Sequence, residues 1–542
     1  LNPIARSPSD QRWLSFGYAL IAAMFVFRLA YLASGTIELS NDEGYQWLWS
    51  KHLALSYYSK PPGIAFIQFA GTSLWGDTQF GVRFFSPVFA ALLSIVMLRF
   101  MAKVSSARLG VLLLLIITSA PLMSVGTILM TIDPPLVLCW TMSMLAGWRA
   151  VQPDGKTSQW LLAGLAAGLA FLCKYSAAYL IVCWSVFFLL FPPARPHLRR
   201  PGPWLALLIL ALATLPVILW NSQHDWITFH HVAGNAGMNS PWQPTWKTLS
   251  KNFFPFLYTQ AALLNPVFLI AAIWAMIAFW KRRRENPLLL YLFCMGGLVF
   301  LGHLAWSLHS RILPNWVAPS VVPMYALMVL YWDARWRDGV RLIKRSLITG
   351  LVLGLVIVVP MHQTDLIRNI AGQKLPGDMD PLRRVRGYRA TAEYVEAARE
   401  RLQQEGKPAF IIGSHYGLTG LITFYLPEAR TKLNPKPLVY CRSSNRPENQ
   451  FYFWPEYAYP EHRQGENAIY VMEPGTARLE KNWPWKWLIG REVRVAQEPR
   501  PASAPETLLG QFESVTDLGV HEVKLGDRIY KRIQLFECRN LR

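Results

Sequence analysis

The chain has 542 residues, of which 52% are apolar or aromatic and only 16% charged. Soluble chains carry about 25% charged residues, so an ordinary cytosolic enzyme is excluded. The net charge of +21, from 54 basic against 33 acidic residues, would suit nucleic acid or an anionic lipid surface. Its distribution decides for the lipid: Lys and Arg cluster in short loops between long apolar runs, as in a polytopic membrane protein.

A hydrocarbon core about 30 Å thick takes about 20 helical residues. In chain order, about eleven runs approach that length: 13–34, 80–102, 109–129, 134–151, 159–173, 175–193, 203–220, 257–280, 288–308, 314–332 and 343–361. The first is followed by Ala33-Ser34-Gly35, which imitates a signal-peptidase site, but its long apolar stretch reads as a retained anchor. Between the first two runs, Tyr45, Leu48, Trp49, His52 and Leu53 share one helical face and predict an amphipathic helix on the membrane surface. The next stretch, 64–75, is too short to cross and reads as a re-entrant or interfacial helix.

Basic residues fall in alternate loops: Arg99, Lys103 and Arg108; Arg149 and Lys156; Arg195, Arg199 and Arg200; Lys281 to Arg284; and Arg335 to Arg345. Translocating basic loops is disfavoured, so these loops are cytoplasmic. An odd span count then places 362–542 outside, in the periplasm of a Gram-negative cell. The organisation expected is a membrane domain over 1–361, with external loops 35–79 and 221–257, and an extracytoplasmic α/β domain over 362–542. In that domain 387–404 and 418–425 read as helices, and 409–412, 438–441, 468–472, 492–496 and 529–536 as strands. No solenoid or inverted repeat is found. Four of the six cysteines lie in or at spans as packing residues, and none has metal-ligand spacing. Cys441 and Cys538 share the external domain, where an oxidising compartment would permit a disulfide.

A charge at the membrane centre costs about 2.5–3.5 kcal/mol, so charges beside spans need a reason. Those outside the cytoplasmic loops map to one face: Asp42, Glu43, Lys60, Asp133, Lys174, His309 and Arg311. Asp42 and Glu43 suit the start of a helix. Adjacent helical residues point about 100° apart, so in a catalytic role one would act and the other orient. Asp133, in Thr131-Ile132-Asp133-Pro134-Pro135, suits a helix N-cap that is also able to serve a ligand. Lys174 divides an apolar stretch, 160–191, and either snorkels or meets an anion at the surface. Lys60 and Arg311 suit lipid headgroups, and Trp47, Trp49, Tyr57 and Tyr58 an interfacial aromatic belt. His224, His230 and His231 have no diagnostic spacing; a divalent metal stays open, and no cofactor is certain.

The series Asp42-Glu43, Tyr57-Tyr58-Ser59-Lys60-Pro61-Pro62, Gly81-Val82-Arg83-Phe84, Thr131 to Leu136, Leu172-Cys173-Lys174-Tyr175 and Arg311-Ile312-Leu313-Pro314-Asn315-Trp316 resembles the bacterial family 39 glycosyltransferases. These are membrane enzymes of the C-type glycosyltransferase fold, related to protein O-mannosyltransferases and to the transferases that put aminoarabinose on lipid A. Phe424-Tyr425-Leu426-Pro427 and 449–455 resemble segments of the same relatives. The resemblance implies transfer of a sugar, on the outer face of the cytoplasmic membrane, from a polyprenyl-phosphate donor to an acceptor that is lipid A, a cell-envelope glycan or a protein, with inversion as the simplest course. It implies Asp42 or Glu43 as the catalytic carboxylate and Asp133 as a second acidic residue. Lys60, Lys174 and Arg311 would hold the donor phosphate. Two positions depart from the pattern: Cys173 precedes the lysine, and Ser59 stands where the aminoarabinose enzymes have an acid, which weakens any metal site. No Gly-rich phosphate loop opens a helix after a strand, and neither nucleotide sugar nor nucleic acid is implied. Two alternatives are a transporter or flippase of lipid-linked saccharides and a ligase using a diphosphate-linked oligosaccharide. The first predicts charges at mid-membrane rather than toward one side.

Overall fold

The computed structural model describes residues 8–371, 375–482, 486, 491 and 493–542. They form two compact units, Leu1–Ala33, Leu53–Gly71 and Arg83–Val359 in the first and Ser34–His52, Thr72–Val82 and Pro360–Arg542 in the second.

The first unit is helical. Among the described residues six helices are long and apolar enough to cross a membrane: Pro8–Ala33, Gln79–Val104, Pro201–Ser222, Pro287–Trp306, Pro314–Arg337 and Arg341–His362. Two bent pairs raise the number to eight if each is one span. The remaining expected runs are helical but shorter or interrupted. Run 109–129 divides into Ala107–Thr118 and Pro121–Gly126, and run 159–173 forms the short helix Thr157–Cys173. Run 257–280 breaks into a pair bent by 109°. Asn265 causes that break: its φ is +64° and its side chain accepts from Val267 N, while Pro266 has no N–H to continue the preceding helix. Trp140, Met144, Tyr291 and Tyr325 fill the core between helices. Tyr291 donates its hydroxyl to Met144 O at 2.7 Å, so the phenol is not left unsatisfied in an apolar surround.

The second unit is built on a five-stranded sheet of order β2-β1-β3-β7-β6. β1 (Ala409–Gly413) pairs in parallel with β2 (Val439–Cys441) and β3 (Asn467–Met472). A separate pair, β4 (Arg478–Leu479) and β5 (Val495–Gln497), is antiparallel. β6 (Phe512–Leu525) and β7 (Arg528–Leu541) form a long hairpin whose second strand joins β3. Every residue of β1 is buried, which accounts for its unbroken apolar run. The expected strand 492–496 appears only as β5; Glu492 itself lies outside the described residues. β6 was not anticipated, because an edge strand with Glu513, Thr516, Asp517, Glu522 and Lys524 has no apolar alternation to reveal it.

Two expectations are corrected in this unit. Helix Asn41–Lys51 does not present a polar face to solvent: residues 43–50 are all buried, and the helix packs on helix Tyr416–Tyr425. Gly44 and Gly420 allow that approach. A Cβ on Gly420 would stand 2.8 Å from the Gly44 carbonyl, and one on Gly44 would stand 2.8 Å from Leu421 Cδ2. The second correction is that Cys441 and Cys538 are both free and buried. They lie on β2 and β7 with β1 and β3 between them. Three strand spacings amount to about 14 Å, twice what a disulfide spans.

Candidate active site

The second unit holds the Asp42-Glu43 pair. Ser40 is the N-cap of helix Asn41–Lys51, and its hydroxyl accepts from Glu43 N at 3.4 Å. Glu43 returns the contact, its Oε2 accepting from Ser40 N and from Ser40 Oγ, each at 2.9 Å. This capping box takes up Oε2 of the Glu43 carboxylate, which is 0% exposed. Asp42, one residue earlier, points elsewhere and is exposed. Its Oδ1 receives the Tyr416 hydroxyl at 3.5 Å, a distance too long for a strong bond. The carboxylate is left able to take another donor.

Asp42 lines a cavity of about 530 Å³ together with His415, Tyr416, Tyr388, Glu473 and Lys531. Tyr416 is held by ring contact with Tyr45, at 4.4 Å between centroids, and Tyr45 in turn accepts from Gln450 N at 2.6 Å. His415 caps its helix, its Nδ1 accepting from Gly417 N at 3.2 Å. Burial lowers the His415 pKa, against the opposing pull of Asp42 and Glu473. Burial also pushes the Tyr416 hydroxyl up, with Asp42 adding to the effect, so the phenol stays a donor near neutrality.

The first unit holds the other candidates. Asp133 is the first residue of helix Asp133–Ala150, whose N-cap is Ile132 and has no side-chain cap bond. The anticipated capping role of Asp133 is therefore not realised. Its carboxylate instead meets Lys174 Nζ at 2.7 Å through Oδ1 and accepts from Asn315 Nδ2 at 2.6 Å through Oδ2. The Lys174 and Asp133 side chains are 12% and 15% exposed. Lys174 ends helix Thr157–Cys173 in extended backbone, and its partner is this carboxylate rather than solvent. His303, on helix Leu298–Trp306, lies within electrostatic reach of the ammonium.

The segment bearing Lys60 packs on the segment bearing Lys174. A Cβ on Gly63 would stand 2.6 Å from Leu172 O and 3.1 Å from Cys173 Sγ, so only glycine fits. Ser56 Oγ lies 3.3 Å from the Tyr175 hydroxyl, and Tyr57 O accepts from Thr228 Oγ1 at 3.1 Å. The Tyr58 ring lies against His231, 4.6 Å between centroids. Burial lowers the His231 pKa, and the Lys60 charge lowers it further. Lys60 thus shares a neighbourhood with both the Lys174 segment and the 221–257 loop. Arg311 is exposed and, among the described residues, stands outside the Asp133–Lys174–Asn315 network. His309 Nε2 lies 2.9 Å from Gly237 O and the ring stacks on Trp242. Among the described residues no three His, Cys, Asp or Glu side chains are grouped to hold a metal; His224 stacks on Trp220 instead.

Asn315 and His415 were not singled out from sequence. Asn315 sat inside a quoted motif, but an amide beside Pro314 signals only a turn. His415 carried no signal beyond its place before a helix.

Residues 59–220 match the family model described as dolichyl-phosphate-mannose-protein mannosyltransferase. The lipid A galacturonosyltransferase RgtD of Rhizobium johnstonii is 25% identical over 352 residues, 64% of this chain and 72% of that protein. The undecaprenyl phosphate-alpha-4-amino-4-deoxy-L-arabinose arabinosyl transferase 2 of Proteus mirabilis is 28% identical over 305 residues. That match spans 53% of this chain and about half, 51%, of the relative. The crystal structure of ArnT from Cupriavidus metallidurans in the apo state superposes with a TM-score of 0.54 at 15% identity, covering 97% of this chain and 98% of that one. The same protein bound to undecaprenyl phosphate gives 0.54 over 96% and 97%. The resemblance to polyprenyl-phosphate-dependent glycosyltransferases is borne out by these relatives, and the fold is that of ArnT, with six to eight apolar helices long enough to cross a membrane among the described residues.

Proposed function

We propose that this relative of the lipid A sugar transferases moves a sugar from a polyprenyl-phosphate donor to an acceptor hydroxyl, of lipid A or a similar envelope glycolipid, at the periplasmic face of the inner membrane. The observation that carries it is the division of labour between neighbouring carboxylates. Glu43 is buried and its Oε2 closes a capping box, while Asp42 stands exposed on a polar cavity with one weak donor among the described residues. Asp42 is the general base, and Glu43 orients it by fixing the first helical turn. Transfer breaks the bond between the anomeric carbon and the phosphate oxygen. The acceptor oxygen forms the new bond from the opposite side with inversion, and its proton passes to Asp42. The phosphodiester carries one negative charge and the departing polyprenyl phosphate approaches two, so a cation beside it stabilises the transition state more than the ground state. Lys174 and Lys60 supply those cations and Arg311 a third. Asp133 is a positioning residue that, with Asn315, holds the Lys174 ammonium in place.

The topology belongs to the same reading: about eleven spans, a membrane domain over 1–361 and an extracytoplasmic domain over 362–542. It is supported by helix over the expected runs and by basic residues in alternate loops. The test is a purified-protein assay with a panel of synthetic undecaprenyl-phosphate sugars and a lipid A acceptor. The wild type should consume one donor, and Asp42→Asn should lower kcat by about 10² to 10⁴ with unchanged folding, the usual worth of a general base. An Asp42→Asn protein that transfers sugar at the wild-type rate would overturn the assignment.

A further inference from the structure

Helix Arg341–His362 is pinned to the first unit at its middle and stands away from it at its start. A Cβ on Gly350 would stand 2.5 Å from Phe268 Cζ and one on Gly354 2.5 Å from Ser119 O, and Asn265 Nδ2 donates to Gly350 O at 2.7 Å. Two turns earlier the packing has opened, and Leu342 is 69% exposed. The gap is a wedge of about 580 Å³ against helices Ala107–Thr118, Pro266–Phe279 and Ala318–Arg337. Ile270, Trp274, Trp332 and Leu347 are among its walls, and apart from Asp333 and Ser346 its lining is apolar or aromatic. Trp332 donates its indole N–H to Ala271 O at 2.9 Å, so it asks no polar partner of whatever fills the wedge.

At Asp333 and Trp336 the wedge meets a polar hollow of about 480 Å³. The hollow holds both signs of charge, Arg108 and Arg337 with Asp10 and Asp333. Asp10 Oδ1 accepts from Ala107 N at 2.7 Å, and Asp333 Oδ2 pairs with Arg337. Among the described residues the Arg108 guanidinium meets no carboxylate; it lies 5.1 Å from the centre of the Trp336 ring, which leaves its N–H groups for a phosphate. Asp333 has a second oxygen, Oδ1, outside the Arg337 pair. Hydrocarbon wall, guanidinium and carboxylate thus follow one another in the order of the acyl chain, phosphate and ammonium of a phospholipid.

We infer that wedge and hollow together bind one phospholipid of the cytoplasmic leaflet with an ethanolamine head: an acyl chain fills the wedge, the phosphate accepts from Arg108, and the ammonium donates to Asp333 Oδ1. The leaflet rests on the topology proposed above, in which Arg108 and Arg337 belong to cytoplasmic loops while the donor phosphate is held by Lys60 and Lys174 at the opposite face. The two carboxylates of the hollow oppose a head with a net negative charge, and a choline head, whose nitrogen carries no hydrogen, has nothing to donate to Asp333. A wedge left unfilled would forfeit the dispersion contacts of its walls, and its volume lies in the range of ligand pockets between helices. Basic pockets between spans on the cytoplasmic side are where lipid heads are recognised.

Native mass spectrometry of the full-length protein, stripped of lipid in detergent, tests the site. The probes are phosphatidylethanolamine, phosphatidylcholine and phosphatidylglycerol with identical acyl chains, and undecaprenyl phosphate. One phosphatidylethanolamine should bind at least about 10-fold tighter than either of the other phospholipids, the worth of one charge-assisted hydrogen bond, and should raise the unfolding midpoint. Arg108→Gln should weaken it by about 10-fold without moving the lipid-free midpoint, because that side chain is exposed. Asp333→Asn should bring phosphatidylethanolamine down to the level of phosphatidylcholine. Ser346→Phe, which fills the wedge from one wall, should abolish tight binding of every phospholipid while the lipid-free midpoint stays at least as high as wild type. Equal binding of the three phospholipids, tighter phosphatidylglycerol, unchanged binding in Arg108→Gln, or displacement of the bound lipid by undecaprenyl phosphate overturns the inference. The expected pattern in a protein whose Arg108→Cys variant is labelled from outside the cell would remove the topology and leave the site standing.

Discussion

Separating Asp133 from Lys174 tests the site where its electrostatics are strongest. Two unit charges about 4 Å apart attract by about 4 kcal/mol at an effective dielectric near 20. Breaking a fully buried pair by removing one partner costs about 3–5 kcal/mol, because the other charge is left uncompensated. Here the side chains are 12% and 15% exposed, so water recovers part of that, and about 2–3 kcal/mol is expected for Asp133→Asn or Lys174→Gln alone. Asp133→Asn is the informative single change. It removes the charge while keeping an oxygen able to accept from Asn315 Nδ2, now at 2.6 Å from Asp133 Oδ2. In the double variant no charge is stranded, so its loss should be smaller than the two single losses together, with a coupling energy of about 1–3 kcal/mol. Reversible unfolding in mixed micelles measures the cycle, and donor kinetics on the same four proteins separate stability from function. Lys174→Gln should raise the donor KM and lower kcat together. Asp133→Asn, which leaves an ammonium in a less defined position, should lower kcat/KM by about 10-fold or more. A coupling energy below about 0.5 kcal/mol would refute the energetic reasoning. Unchanged donor kinetics in Lys174→Gln would refute the assignment of that lysine to the phosphate.

Three further outcomes follow from the second unit. Glu43→Ala removes both acceptor contacts to Ser40 and should destabilise the protein by about 1–2 kcal/mol, whereas Glu43→Gln, which keeps an acceptor oxygen, should lose less; equal losses in denaturant melts would count against the capping role. Gly420→Ala places a Cβ 2.8 Å from the Gly44 carbonyl and should cost about 1–3 kcal/mol by forcing the two helices apart; a wild-type melting temperature would show that the contact yields freely. His415 is held below its ordinary pKa of 6.5 by burial, with Asp42 and Glu473 opposing. Its folded state therefore disfavours the protonated ring, so the stability tied to neutral His415 is complete above about pH 6.5 and is lost as pH falls through that value toward the lower folded pKa. Melting temperatures from pH 7.5 to 5 should fall accordingly, and His415→Asn, which keeps an N-cap acceptor, should flatten the slope; an identical slope in the variant would move the effect to another group.

What the residues disclosed and what they withheld divide along one physical line. The apolar helices were legible, though only six to eight of the eleven expected spans are long and apolar enough among the described residues, because crossing a membrane imposes a length and an apolarity on consecutive residues, both local properties. The opposed duties of Asp42 and Glu43 were legible in principle for the same reason: neighbours on a helix face different directions, and the Ser40-to-Glu43 spacing then selects which one folds back. Partnerships across the chain were not legible. Asp133 satisfied every local rule for an N-cap, yet a lysine 41 residues away and an asparagine 182 residues away take its oxygens. The lysine contact outweighs capping because it is an ion pair in a poorly hydrated surround. The disulfide expectation failed similarly: two cysteines in one domain say nothing of how many strands lie between them. Helix Asn41–Lys51 was misread as a surface element for a related reason. Its apolar stripe was real, but the residues that bury its polar side lie some 375 positions on, in helix Tyr416–Tyr425, where Gly420 leaves room for the backbone of Gly44. That contact also brings Tyr416 and His415 to Asp42, so the packing that sequence could not announce is what turns an acidic helix start into a candidate base on a polar cavity.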